Sequence, residues 1–336
     1  MRIATYNIEW FNALFDDDDQ LRADDGWSAR YNITRAAQAE AVAKVLIALN
    51  ADALMIVEAP DANLRRDAVR ALEGFAAAFG LRQSRAAIGY VNDTQQEIVL
   101  LYDPSRIEAT HDPRQSATAP RFDGKFHIDL DIDANRDVVQ FSKPPLELAV
   151  TTAGGRRLRL IGTHLKSKAP HGARGRDAVM RMAIANRRKQ LAQAIWLRGR
   201  IDDHLADGDS LIVLGDLNDG PGLDEYENLF GRSSVEIILG GEGDGPFLFD
   251  PHARQALQRR IAAAPTSARF FIPAQDRWLE ALLDYVMLSP DLVRDTAPRW
   301  RIWHPFNDPA CYEDPELRAA LLTASDHFPV SVDLSL

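Results

Sequence analysis

The chain has 336 residues, 46% of them hydrophobic and 26% charged, with a formal net charge of −10 at pH 7. That size supports a large buried core, and the acidic balance excludes a protein that coats nucleic acid through a broadly basic surface, though not one with a local basic cleft. A single cysteine, Cys311, rules out an internal disulfide framework and a thiolate metal cluster. Met1 leads directly into a strand pattern, and no apolar run reaches the roughly 18 residues of a membrane span. Neither a secretory leader nor a membrane segment is expected, and the cytoplasm is the expected compartment.

In chain order, residues 3–8 predict a strand that delivers Asn7 and Glu9. The loop after it carries Asp16-Asp17-Asp18-Asp19 and Asp24-Asp25, read as a solvated acidic run. Thr34 is placed to cap a helix whose Ala41, Val42, Val45, Leu46 and Leu49 follow the helical period. Residues 53–57 predict a strand ending on Glu58, and Leu64, Ala68, Ala71, Leu72 and Phe75 an amphipathic helix. Strands follow near 86–91 and 97–103.

Residues 104–145 break the pattern and read as a surface excursion. A hairpin is expected over 146–151 and 158–163, turning at Ala153-Gly154-Gly155 and ending on His164. A loop with Lys166, Lys168, His171, Arg174 and Arg176 feeds a long helix reaching about Leu205. The stretch 210–218 is the most informative. Leu211 to Leu214 read as a strand covered on both faces, Gly215 permits a sharp exit, and Asp216 and Asn218 share strand parity. Asp219-Gly220-Pro221-Gly222 is a turn, so these ligands sit at a strand end. Residues 220–277 are irregular, with a helix expected around 252–262. A strand over 283–288 carries Asp284, and a last one over 328–334 follows Ser325-Asp326-His327. There is no internal repeat.

One event recurs: an apolar strand followed by a polar residue at its exit, at Asn7, Glu58, His164, Asp216 with Asn218, and Asp326 with His327. Strands lying side by side would gather these ends on one rim. Asn7, Glu58, Asp216, Asn218 and Asp326 all donate oxygen, which suits Mg²⁺ or Mn²⁺ more than Zn²⁺. Each residue alone has a plainer reading, as a satisfied histidine, a surface acid or a cap. Arg187 stands where an apolar residue belongs on the stripe of Met180, Ile184, Leu191 and Ile195, so it either meets an anion, a substrate phosphate or a structural carboxylate, or snorkels to solvent. No Gly-x-Ser-x-Gly elbow or P-loop is present, and Ser325-Asp326-His327 is too contiguous for a serine triad.

Thr5-Tyr-Asn-Ile-Glu-Trp10, Val57-Glu58, Gly162-Thr-His-Leu-Lys-Ser167, Gly215-Asp-Leu-Asn218, Leu283-Asp-Tyr-Val286 and Ser325-Asp-His-Phe-Pro-Val330 occur in an order and at separations that resemble the endonuclease/exonuclease/phosphatase superfamily. The resemblance runs from the first strand to the last. It implies an α+β fold, a four-layer α/β/β/α sandwich of two mixed β-sheets face to face with helices outside. One domain would span 1–336, with irregular insertions around 104–145 and 220–277. It implies a Mg²⁺- or Mn²⁺-dependent phosphoesterase in which Glu58 and Asn7 hold the ion, Asp326 reaches it, and Glu9 adds a second acid.

By the same resemblance, Asp216 orients or deprotonates water, Asn218 grips a phosphate oxygen, and His164 donates to a non-bridging oxygen. His327 sits on the phosphoryl group with its ring held by Asp284. Arg187, three residues before Gln190 as often in that family, is an expected substrate phosphate contact; Lys166 and Lys168, by their nearness to His164, are expected to contact phosphate too, with solvated lysines the plainer reading. A nuclease acting on DNA or RNA, assumed monomeric, is the leading expectation. A phosphatase or phospholipase C-type hydrolase of a small or lipid phosphate is the alternative, and a non-catalytic binding module the third.

Overall fold

The structure, a computed structural model, describes the chain apart from residues 91–96, 130–136, 171, 221–230, 242–244, 259–263 and 273–275. Val91, His171, the interior of the turn after Asp219 and the end of the helix expected at 252–262 therefore lie outside the described residues.

The apolar stretches become strands. In chain order they are β1 (Arg2–Asn7), β2 (Ala53–Ala59), β3 (Arg85–Ile88), β4 (Glu97–Tyr102), β5 (Ile107–His111), β6 (Phe126–Ile128), β7 (Asp137–Val139), β8 (Leu146–Thr152), β9 (Arg157–His164), β10 (Leu211–Asp216), β11 (Ala268–Ile272), β12 (Arg277–Ala281), β13 (Asp284–Leu288), β14 (Arg299–Ile302) and β15 (Val330–Asp333). One sheet has the order β14-β15-β1-β2-β4-β3 and the other β13-β10-β9-β8-β5. Both are mixed, since β1 runs parallel to β2 and antiparallel to β15, while β10 runs parallel to β9 and antiparallel to β13. The expected hairpin is β8–β9, paired from Leu146↔Gly162 to Thr151↔Arg157. The stretch 104–145, expected to be a surface excursion, instead supplies β5 to the edge of the second sheet as well as the ribbon β6–β7, and β11, in the stretch 220–277, pairs with β12 just after it.

Helices α1 (Arg35–Leu49), α2 (Ala68–Ala78) and α3 (Arg176–Ala206) are joined by shorter ones at Ser234–Leu239, Pro251–Leu257, Pro290–Asp295, Pro309–Glu313 and Pro315–Ala324. Alternation along the strands sorts side chains into layers. Ile3, Met55 and Leu100 of the first sheet meet Leu148, Leu160, Ile212 and Val286 of the second. On the first sheet's other face Ala4, Tyr6, Leu54 and Ile56 pack on Val42 and Val45 of α1 and on Leu72 and Phe75 of α2. On the second sheet's other face Ile161, Leu211 and Val213 pack on Trp196, Leu197 and Ile201 of α3. The result is the four-layer α+β sandwich, and each fully buried Val, Leu, Ile, Phe or Met side chain in it contributes about 1.5–3 kcal/mol. Gly162 sets how closely the sheets approach: a Cβ there would lie 2.4 Å from Met55 Sδ.

Three further local expectations are corrected. Leu64 is exposed and precedes α2, because the Asp67 carboxylate accepts the Val69 and Arg70 N–H groups and starts the helix there. The acidic loop is not simply solvated. Asp16 accepts the N–H groups of Asp18 and Gln20, Asp17 pairs with Arg66, Asp24 with Arg35, and buried Asp19 with Arg70. Its arginine partners lie up to 51 positions away, beyond any local charge pattern. Extended geometry also stops at Asp216, and Asn218 has a φ of 49°. Among the described residues no helix is long and apolar enough to cross a membrane.

Candidate active site

Strand register decides which polar residues look into the space between the sheets. Asn7 shares the face of Ile3, His164 that of Leu158 and Leu160, Asp216 that of Ile212 and Leu214, and Asp284 that of Val286 and Leu288, all members of the inter-sheet core. Asp216 pairs with His164 on one side and Asp284 on the other, so these three stand at one end of the second sheet. Asn7 Nδ2 donates to Asp216 Oδ2 at 3.0 Å and joins the first sheet's rim to the second's.

Glu58 arrives by a different device. Its parity would bury it beneath the helices with Leu54 and Ile56. A bulge between Val57 and Ala59, with Glu58 at φ 60°, turns it away, and Oε2 accepts the Trp10 N–H at 3.4 Å. That backbone conformation costs roughly 1–3 kcal/mol.

Two hydrogen-bonded sets face each other. In the first, His327 Nδ1 lies 2.7 Å from Asp284 Oδ2, which also accepts the Ser267 hydroxyl at 2.8 Å. Ser325 holds the His327 segment to β1: its hydroxyl donates to Asn7 O at 2.8 Å and accepts the N–H groups of Glu9 and His327. In the second, Asp216 accepts the Asn218 N–H at 2.7 Å, the Asn218 side-chain amide at 3.2 Å and Asn7. His164 Nε2 is 3.7 Å from Asp216 Oδ2, and its Nδ1 is 3.5 Å from Lys143 Nζ. An ammonium only donates, so the pairing leaves Nδ1 as acceptor and the proton on Nε2.

The electrostatics follow from enclosure and neighbours. Burial pushes the Asp216 carboxyl up to about 7, against the lowering effect of His327. Burial disfavours an imidazolium at His327, but Asp284, Asp216 and Asp326 outweigh it and raise its pKa well above the usual value. Burial and the charges of Lys143, His327 and Lys166 drive His164 far down, so it is neutral. Burial likewise raises Glu58 and lowers Lys143, although each opposes the other's shift. Glu9 is raised to about 7 by burial and by Asp326 despite its pairing with Arg30.

Other expected residues sit differently. Arg187 is fully enclosed and pairs with buried Asp219 at 2.9 Å, so the expectation of a phosphate contact is corrected to a structural ion pair: substrate in solvent does not reach it. Lys168 also pairs with Asp219, at 2.7 Å. Lys166 is half-buried, and its charge is felt at His164. Asn218 gives its amide hydrogens to Leu165 O and Asp216, so here it positions the acid and holds no hydrogen out for a phosphate.

Sequence reasoning missed Lys143, Ser267, Ser325 and Arg30. Lys143 had a usable signal, a cation held by Pro144-Pro145 directly ahead of β8. Ser267 lay in a stretch with no pattern.

Whether a hard cation fits is tested by unsatisfied oxygens. Asn7 Oδ1 and Asp326 Oδ1 are buried without a hydrogen-bonding partner, and Glu58 lies close enough to Asp326 to feel its charge. These two unpartnered oxygens, with the Glu58 carboxylate beside them, form an all-oxygen set that suits Mg²⁺ or Mn²⁺. Among the described residues, the tight cluster of potential ligand atoms within 4.8 Å is instead Asp216, Asp284 and His327. Two of its members are already bonded to each other, so the oxygen set is the better cation seat. Glu9, engaged by Arg30, fits it least.

A model of the Endonuclease/Exonuclease/phosphatase family matches residues 4–327. Solved structures with similar folds include a 3′ phosphatase, NExo, from Neisseria bound to a product DNA hairpin, at 16% identity and TM-score 0.51, covering 100% of both chains. TDP2 from Caenorhabditis elegans is similar at 15% identity and TM-score 0.50, covering 100% of this chain and 74% of that one. The mannosyl-6-phosphatase Bt3783 from Bacteroides thetaiotaomicron aligns at 15% identity and TM-score 0.48, over 100% of both chains. No curated protein matches the chain in sequence.

Proposed function

Because the chain belongs to the endonuclease/exonuclease/phosphatase family, whose members are hydrolases acting on phosphoesters, we propose that it is a divalent-metal-dependent phosphodiester hydrolase acting on nucleic acid, with residues 1–336 as one domain. The observation that carries this reading is the meeting of the two rims: Asn7 bonded to Asp216 across the sheets, with the Asp284–His327 pair at the same end.

In this reading Glu58, Asn7 Oδ1 and Asp326 Oδ1 hold Mg²⁺ or Mn²⁺. When bound, the ion offsets charge growing on the phosphoryl and leaving oxygens. Asp216, held by Asn7 and Asn218 and raised to about 7, orients the attacking water and takes its proton. His327, kept cationic chiefly by Asp284, faces the phosphoryl group, and neutral His164 offers its Nε2 hydrogen to a non-bridging oxygen. Lys143 adds positive charge from behind His164. Lys166 and the exposed Arg174 and Arg176, following His164 in the chain, supply the local basic surface a polyanion needs on an otherwise acidic protein.

The test is hydrolysis by purified protein of plasmid DNA, single-stranded DNA, RNA, bis-p-nitrophenyl phosphate and inositol phosphates, with Mg²⁺ or with EDTA. Mg²⁺-dependent cleavage of DNA or RNA is expected. Activity confined to phosphomonoesters would remove the phosphodiester reading.

A further inference from the structure

The β11–β12 ribbon grows out of the site. Ala268 forms a bridge with His327, and the Arg269 N–H donates to Asp326 O at 2.7 Å, so the ribbon's first residues are hydrogen-bonded to the segment that carries two site residues. From there alternation splits the ribbon into two faces. Ala268 and Phe270 pack inward with Ala281 and Leu283. Arg269 and Phe271, opposite Glu280 and Trp278 in the register, form the other face.

That face is aromatic and open. Trp278 is 53% exposed, Phe271 44%, and the neighbouring Phe306 41%. These side chains are organised. The Arg269 guanidinium lies over the Trp278 ring at 4.0 Å and over Phe306 at 5.2 Å, and the Phe271 and Trp278 rings are 5.5 Å apart. Arg269 also pairs with Glu280 at 3.3 Å. A phosphate therefore finds little net charge on this face. A flat π-surface finds ring faces and a stacked guanidinium, the surface on which nucleobases stack without sequence preference.

Resting on the nucleic-acid reading above, we propose that the Arg269–Phe271–Trp278–Phe306 face is a stacking platform for unpaired bases flanking the scissile phosphate, so that single-stranded nucleic acid is the substrate class. Aromatic surface beside a phosphodiesterase site is useful to a substrate that carries planar rings next to its phosphates. Neutralisation of Arg269 by Glu280 makes the contribution one of stacking, insensitive to salt.

The experiment compares wild type, Trp278→Ala and Trp278→Phe. Binding of oligo(dT) and of an oligomer of abasic deoxyribose phosphates is measured by calorimetry in EDTA, and cleavage of both with Mg²⁺. Wild type is expected to prefer oligo(dT). Trp278→Ala should lose about 5- to 100-fold in oligo(dT) affinity, equally at low and raised salt, and nothing on the abasic oligomer, while Trp278→Phe keeps most of the preference.

Equal losses on both oligomers, or none on either, would overturn the platform while leaving cleavage by wild type, and with it the proposed function, intact. If wild type binds phosphatidylcholine–phosphatidylserine vesicles and Trp278→Ala abolishes that binding without touching oligo(dT), the face belongs to a lipid surface and the platform is likewise overturned. Absence of cleavage of any oligonucleotide by wild type removes the nucleic-acid reading itself.

Discussion

On the rim of the second sheet Asp216 holds three donors and Asp284 Oδ2 holds two, whereas on the first sheet's side Asn7 Oδ1 and Asp326 Oδ1 are buried with none. Both halves are enclosed, so exposure does not explain the contrast. A buried oxygen without a partner costs about 1–3 kcal/mol, which a fold tolerates where a ligand satisfies it. In the proposed mechanism the second sheet's half positions water and protons, and the first sheet's half takes the cation. Asp284 Oδ1 departs from this division, being buried and unpartnered within the saturated half.

Each sheet's half answers to substitution separately. The largest effect is expected in the saturated half, where His327→Ala and Asp216→Ala should each lower kcat by about 10²–10⁴-fold with Mg²⁺ affinity retained. Steady-state assay beside calorimetric Mg²⁺ titration checks both, and full activity in either variant would contradict its role. Next comes a control behind the rim. Arg187→Met should lower unfolding free energy by about 3 kcal/mol in denaturant titration and leave KM unchanged, since it removes one cation from buried Asp219. A raised KM at unchanged stability would return Arg187 to the substrate.

Asp284→Asn, which acts chiefly through His327, should lower kcat by about 10–100-fold without changing Mg²⁺ affinity. Weakened Mg²⁺ binding in that variant would place Asp284 among the ligands and erase the division of labour. The smallest effect is expected on the open side, where Glu58→Gln should weaken Mg²⁺ binding about tenfold, read by calorimetry and partly overcome by added Mg²⁺. Unchanged Mg²⁺ affinity there would shift the cation seat toward Asp216.

What the sequence determined by itself is the strand ends. Short-period apolar runs closed by Asn7, Glu58, His164 and Asp216 are local patterns, and for Asn7, His164 and Asp216 alternation of side chains fixes the face once a strand exists. Thr34 as a helix cap and the β8–β9 hairpin were legible for the same reason: the interactions that define them span only a few residues. Tertiary structure alone decided the partners. The Arg187 stripe position announced a need for an anion but not that Asp219 meets it 32 positions away. Lys143, whose Pro-Pro flank marks it without naming a partner, reaches His164, and Ser267 reaches Asp284 from a stretch with no pattern. The Glu58 turn arises where β2 slips register against β4, a mismatch between two strands that neither strand's own residues encode. Pairings between distant segments depend on where whole layers come to rest, and that is set by packing of the entire core, not by any stretch of chain read alone.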